Sequence, residues 1–267
     1  METWTILTLF SNNNDFFTST ILPIFRESLD IVFPRTCMMC GNRLAAHEHF
    51  LCTSCVVHLP LTQSHTVEHN LIEKKFWTRF PVKRAVSMFH HDGESTRKLL
   101  YQIKYHAHPK LAVYLSSLYA KELKDYGFFD DVEVIVPLPL HWRRQMKRGY
   151  NQSHYIARGI QQVTHIPVMK NVVKRIRNNF SQTRLNARQR IENVEGIFQL
   201  KHPELIAGKH VLLVDDVTTT GATLSSCAKE LAKAQGVNIS VLTLAVASNS
   251  ALPFVQNMYP QPLSMPL

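Results

Sequence analysis

Residues 211–223 read VLLVDDVTTTGAT: an apolar run, two adjacent acids, then threonines around a glycine. A short run with no polar interruption suits a strand covered on both faces. Asp215 and Asp216 would then emerge at its carboxyl edge, where open α/β sheets place their ligands. Two carboxylates there suit a sugar diol and the Mg²⁺ that accompanies a polyphosphate. Behind them, Thr218, Thr219, Thr220, Gly221 and Thr223 form a polar loop entering a helix. Its amides and hydroxyls, with the positive end of the helix dipole, can surround a phosphate. Helix capping accounts for one or two of these residues, not for all of them. Acids for a diol beside a cradle for a phosphate describe a site for ribose 5-phosphate.

A second constellation lies near the amino end. Cys37-x-x-Cys40 and Cys52-x-x-Cys55 are separated by eleven residues. Two such knuckles can present four thiolates tetrahedrally to one Zn²⁺. His47 and His49 sit between them, but four cysteines already complete the shell, so the metal is expected to be structural. A pair of disulfides is the competing reading, and it fits badly with a chain showing no export signal. Cys227 stands alone and is expected to be a core thiol.

The elements that must hold these groups alternate in type. Segments 84–90, 132–138, 210–217 and 239–247 read as strands, and 94–106, 110–126, 150–163 and 220–235 as helices. Strand alternating with helix predicts a mostly parallel sheet flanked by helices. The expected organisation is a helical segment over 1–35 and a zinc module over 36–60. A connecting region follows over 61–83, then an α/β domain over 84–250 and a loose, proline-rich tail over 251–267. In the first segment, Ile24, Leu29 and Val32 fall near helical spacing over 18–33. The apolar share of 45% supports a sizeable core. The net charge of +10 suits an anionic partner: nucleic acid, a phosphorylated small molecule or acidic lipid. No stretch approaches ~20 uninterrupted apolar residues, so no membrane span is expected, and the chain is expected in the cytoplasm.

The stretch 211–223 resembles the phosphoribosyl pyrophosphate (PRPP) motif of type I phosphoribosyltransferases. Two further segments are VPLPLHWRRQMKRGYNQS (136–153) and RIRNNFSQTRLNARQRIENVEGIF (175–198). With the cysteine knuckles they resemble the ComF family of competence proteins, over about residues 30–247. Asn179 departs from the threonine common at that place. The resemblance implies a type I phosphoribosyltransferase fold with a small zinc-ribbon-like module. It implies a protein needed for natural transformation, acting on incoming single-stranded DNA and binding PRPP or a related ligand with Mg²⁺. Competence or recombination proteins would be its partners. The alternative is a working salvage enzyme transferring ribose 5-phosphate from PRPP to a base, for which no acceptor pocket or catalytic residue is legible.

From His141 to Arg190 the chain holds twelve Lys and Arg residues and no Asp or Glu. Solvated faces normally mix both signs. By the resemblance, Arg143 and Arg148 would hold pyrophosphate while Arg175 and Arg177 cover the site from a mobile loop. The remaining cations exceed that need. Arg144, Lys147, Arg158, Lys174, Arg184, Arg188 and Arg190, with Tyr150 for stacking, are expected to form a track for single-stranded nucleic acid.

Overall fold

The computed structural model describes residues 34–105, 108–177 and 196–247. The expected helix over 18–33, the tail from 251, Asn179, Arg184, Arg188 and Arg190 lie outside these residues. The chain divides into two units, one through His58 and one from Leu59. Among its described residues the first contains one short helix, α1 (Thr53–Val57), beside its cysteine knuckles.

In the second unit the chain runs through α2 (Leu71–Trp77), β1 (Ala85–His90), α3 (Glu94–Tyr105), α4 (Pro109–Asp125) and β2 (Val134–Pro137). It continues through α5 (Trp142–Arg148), α6 (Gln152–Thr164), β3 (Val173–Arg175), β4 (Phe198–Leu200), β5 (His210–Thr218), α7 (Ala222–Leu231) and β6 (Asn238–Val246). Four strands make a parallel sheet in the order β1-β6-β5-β2, while β3 and β4 form a separate antiparallel pair.

The near-continuous apolar runs of β5 and β6 follow from their central places. Val211 to Val214 and Val241, Leu242, Leu244 and Ala245 are all fully buried, because both sheet faces are covered. Val211 and Leu213 cluster with Leu224, Cys227 and Leu231 of α7, with Val173 and Phe198, and with Phe76 of α2. Side chains alternate along a strand, so Leu212 and Val214 serve the opposite face. On that face α6 packs on β2 and β5 and lies against α4. The helices after β2 and after β5 therefore take opposite faces, which opens a crevice at the carboxyl ends of these neighbouring strands.

The α4–α6 contact depends on Gly159. A Cβ there would stand 2.0 Å from Ser116 Oγ and 2.4 Å from the Val113 carbonyl. Gly159→Ala is expected to lower stability by about 3 kcal/mol through forced separation of the two helices. The urea unfolding midpoint measures it.

Three expectations change. Residues 61–83 are not a bare connection: residues 60–62 run antiparallel beside β1, and α2 follows. Asn70 starts that helix, its side chain accepting from the amides of Ile72 and Glu73 at 2.9 and 3.0 Å. Seven residues are too few to show a helical period in sequence, although Phe76 is fully buried. The expected helix over 150–163 is preceded by a separate one, α5. Strand β5 also extends beyond the two acids to Thr218, because β6 pairs with it that far. No helix among the described residues is long and apolar enough to cross a membrane.

Candidate functional site

The β5–α7 junction is held from outside the motif. Gly221 starts α7 with φ +75, in the left-handed region, and no side chain caps this helix. The Ala222 amide reaches Thr220 Oγ1 at only 3.4 Å. The first-turn donors are thus left for a ligand. The Thr218 hydroxyl, buried just below, has no hydrogen-bond partner. Helix α2 backs the loop: a Cβ on Gly221 would lie 3.3 Å from the Phe76 ring and 3.4 Å from the Lys75 carbonyl. Lys75 Nζ donates to the carbonyls of Thr219 and Ala247 at 3.0 and 3.2 Å, tying the loop to the end of β6. Lys75→Met is expected to speed amide exchange over residues 219–223 about tenfold, since two charge-assisted bonds are lost. Exchange in the rest of the sheet would be unchanged.

The two acids stand within β5, not beyond it, and consecutive strand positions point to opposite faces. Asp215 Oδ1 accepts from Ser153 Oγ at 2.9 Å. Asp216 Oδ2 lies 3.4 Å from Lys104 Nζ of α3. Ser153 is placed by a local device in the segment 148–153. Asn151 caps α6 by accepting from the Ser153 amide at 3.1 Å and donates to the Leu138 carbonyl at 3.0 Å. Burial, and next the charge of Asp216, raise the pKa of Asp215; Ser153 and Lys104 offset this only in part. A carboxyl so placed favours a cation or a hydroxyl donor beside it.

The expected basic positions separate. Arg143 and Lys147 are exposed on α5, with Arg144 and Arg148 half-buried beside them. The Arg143 guanidinium lies over the Trp142 ring at 5.2 Å, and that of Arg148 over Tyr105 at 5.2 Å. Arg158, Lys174 and Arg177 are exposed. Arg175 is corrected: it sits on β3, only 9% exposed, packed over Phe198 at 5.7 Å with its charge acting on Asp215. It does not cover the site from a loop. Tyr150 is corrected too, since it is 9% exposed and its hydroxyl donates to the Ile103 carbonyl, leaving no face for a base. Lys75, Lys104 and Ser153 went unrecognised in the sequence. Only the cap pattern around Asn151 could have pointed to one of them.

The four cysteine sulfurs lie within 4.8 Å of one another, with Cys40 and Cys52 Sγ 3.8 Å apart. Tetrahedral zinc with Zn–S bonds of ~2.3 Å separates its sulfurs by about 3.8 Å, so the four fit the ion. None is in a disulfide. Burial opposes ionisation of Cys37, but the amides of Cys40, Cys52 and Met39 outweigh it and bring the thiol down to about 7. The amide of Cys52 approaches Cys37 Sγ at 3.4 Å and that of Asn42 approaches Cys40 Sγ at 3.5 Å. Between the knuckles, Glu48 accepts from the amides of Ala45 and Thr53 and from the Thr53 hydroxyl at 2.6–2.8 Å. These bonds hold its carboxyl down at about 2. Four protein ligands leave no open position, so the ion would be structural.

Residues 28–66 match the family model of the double zinc ribbon domain, and residues 159–259 that of the phosphoribosyl transferase domain. The chain is 38% identical over 116 residues to Competence protein F of Haemophilus influenzae, covering 43% of this chain and about half, 51%, of that protein. It is 29% identical over 211 residues to the DNA utilization protein YhgH of Escherichia coli K12, covering 78% and 88% of the two chains. It is 27% identical over 231 residues to Competence protein ComFC of Bacillus subtilis, covering 82% and 81%. The chain thus pairs a four-cysteine module with a phosphoribosyl transferase domain and is similar to proteins named for competence and DNA utilization.

Proposed function

We propose that this protein serves natural transformation by acting on incoming single-stranded DNA in the cytoplasm, with a β5–α7 crevice that holds a phosphoribosyl ligand such as PRPP. Support for the ligand comes above all from the uncapped start of α7 directly beside Asp215 and Asp216. The loop amides and threonine hydroxyls would take the 5-phosphate, and the two acids the ribose hydroxyls. Mg²⁺ would be held near Asp215, whose pKa is raised by burial and by the charge of Asp216. That ion would supply charge neutralisation for the pyrophosphate. Arg143 and Arg148 are the cations left to meet the pyrophosphate itself. Competence or recombination proteins are the partners this role requires.

Support for DNA comes from the charge balance and from the names of the relatives. Calorimetry with PRPP and Mg²⁺ tests the crevice, and anisotropy with a labelled single strand across a salt series tests the track. Binding to the strand is expected to weaken steeply as salt rises. No heat with PRPP or any nucleoside monophosphate would remove the first half of the reading, and salt-independent binding the second. Pyrophosphate release in the presence of one base would instead mark a salvage transferase.

A further inference from the structure

Beside Asp216 the surface changes character. Tyr101 and Tyr105 lie one turn apart on α3, their ring centroids 4.9 Å from each other, and are 53% and 54% exposed. The Arg148 guanidinium rests on Tyr105, so this surface runs directly into α5. Helix α5 buries none of its residues. Trp142 and Met146, one turn apart on it, are 57% and 75% exposed. A helix of a folded domain normally covers its apolar side chains. Here they stay in water among four cations, with Arg143 laid over the Trp142 ring.

We propose that α3 and α5 together form a stacking surface for single-stranded DNA. Bases would lie on Tyr101, Tyr105 and Trp142, with phosphates on Arg144 and Lys147 of the same helix. The proposal rests on the reading that this protein handles single-stranded DNA, and it gives that reading a location. Charge complementarity selects a polyanion, and rings paired with guanidinium groups select one with exposed aromatic faces. A duplex keeps its base faces hidden in its own stack, so a single strand fits better. Lys104, next to Tyr105 on α3, holds Asp216, so the surface borders the phosphoribosyl crevice. The two tyrosines lie outside the acid-free block 141–190, and only the packing of α3 beside α5 brings them to it.

The test uses the full zinc-loaded chain and two labelled 20-mers, oligo(dT) and an abasic strand with the same number of phosphates. Wild type is expected to bind oligo(dT) more tightly than the abasic strand. Tyr101→Ala/Tyr105→Ala is expected to weaken oligo(dT) binding about tenfold. It should leave abasic binding and the salt slope unchanged, because no phosphate contact is lost. Tyr101→Phe/Tyr105→Phe, which keeps the ring faces, is expected to bind as wild type does, and circular dichroism confirms that both variants fold. Equal binding of the two strands by wild type, or an alanine variant indistinguishable from wild type, overturns the surface while DNA binding stands. Failure of wild type to bind any single strand removes the underlying reading. A tyrosine-dependent affinity for phosphatidylglycerol vesicles, with oligo(dT) binding unaffected by the variants, also overturns the proposal and assigns the surface to membranes.

Discussion

Removing the metal, or replacing Cys52 with serine, is expected to unfold the module around the knuckles while the unit from Leu59 keeps its cooperative transition. The reason is size. Between residues 34 and 58 the buried apolar side chains are Cys37, Leu44, Leu51 and Cys52, and two of these are ligands. Below ~40 residues a chain seldom buries enough surface to fold alone. Structural zinc supplies roughly 10–16 kcal/mol in small modules of this kind. The bonds of Glu48 and the knuckle amides depend on that closure, so they cannot replace it. With a chelator, a thiol reagent should modify four cysteines quickly and spare Cys227, which is fully buried on the inner face of α7. Proteolysis should open new sites between Thr36 and His58. If chelation changed neither thiol reactivity nor cleavage, the four-cysteine cluster would not be a folding centre.

Asp215→Asn has the second large effect, and it runs in opposite directions for binding and stability. Burial and the Asp216 charge raise the Asp215 pKa. The folded state therefore holds this proton more tightly than the unfolded chain, whose value is ~3.9. The resulting stabilisation is complete below that value and is lost as pH rises through the folded-state pKa into the neutral range. Asn keeps the shape and can still accept from Ser153, but it carries no charge at any pH. The variant should be at least as stable as wild type at neutral pH and should lose part of the decline in stability between pH 4 and 7. Its affinity for PRPP with Mg²⁺ should fall about a hundredfold, since a charge-assisted contact and a cation ligand are both lost. Denaturant titrations at several pH values, paired with calorimetry, read both arms. Unchanged PRPP affinity would remove Asp215 from the site, and a steeper fall in stability with pH would contradict its raised pKa.

These expectations draw unequally on the sequence. The knuckles and the β5–α7 motif were legible because their residues are neighbours along the chain. The near-continuous apolar runs of 211–214 and 239–247 announced a sheet buried on both faces, and β5 and β6 are its central strands. Other features were hidden for specific reasons. Helix α2 is too short to show a period. Arg175 and Tyr150 looked like surface groups of a basic segment, yet each turns inward, one over Phe198 and the other onto the Ile103 carbonyl.

What the sequence by itself determined is the chemistry on offer: four thiolates at metal spacing, two adjacent acids before a threonine-rich loop, and an excess of cations without acids. Those follow from local spacing, where a few bonds fix the geometry. Only the tertiary structure decided which groups serve them. Lys75 reaches the Thr219 carbonyl from 144 residues away, and Ser153 reaches Asp215 across 62. Such pairs are set by how helices pack against the sheet, and no spacing along the chain encodes that crossing directly.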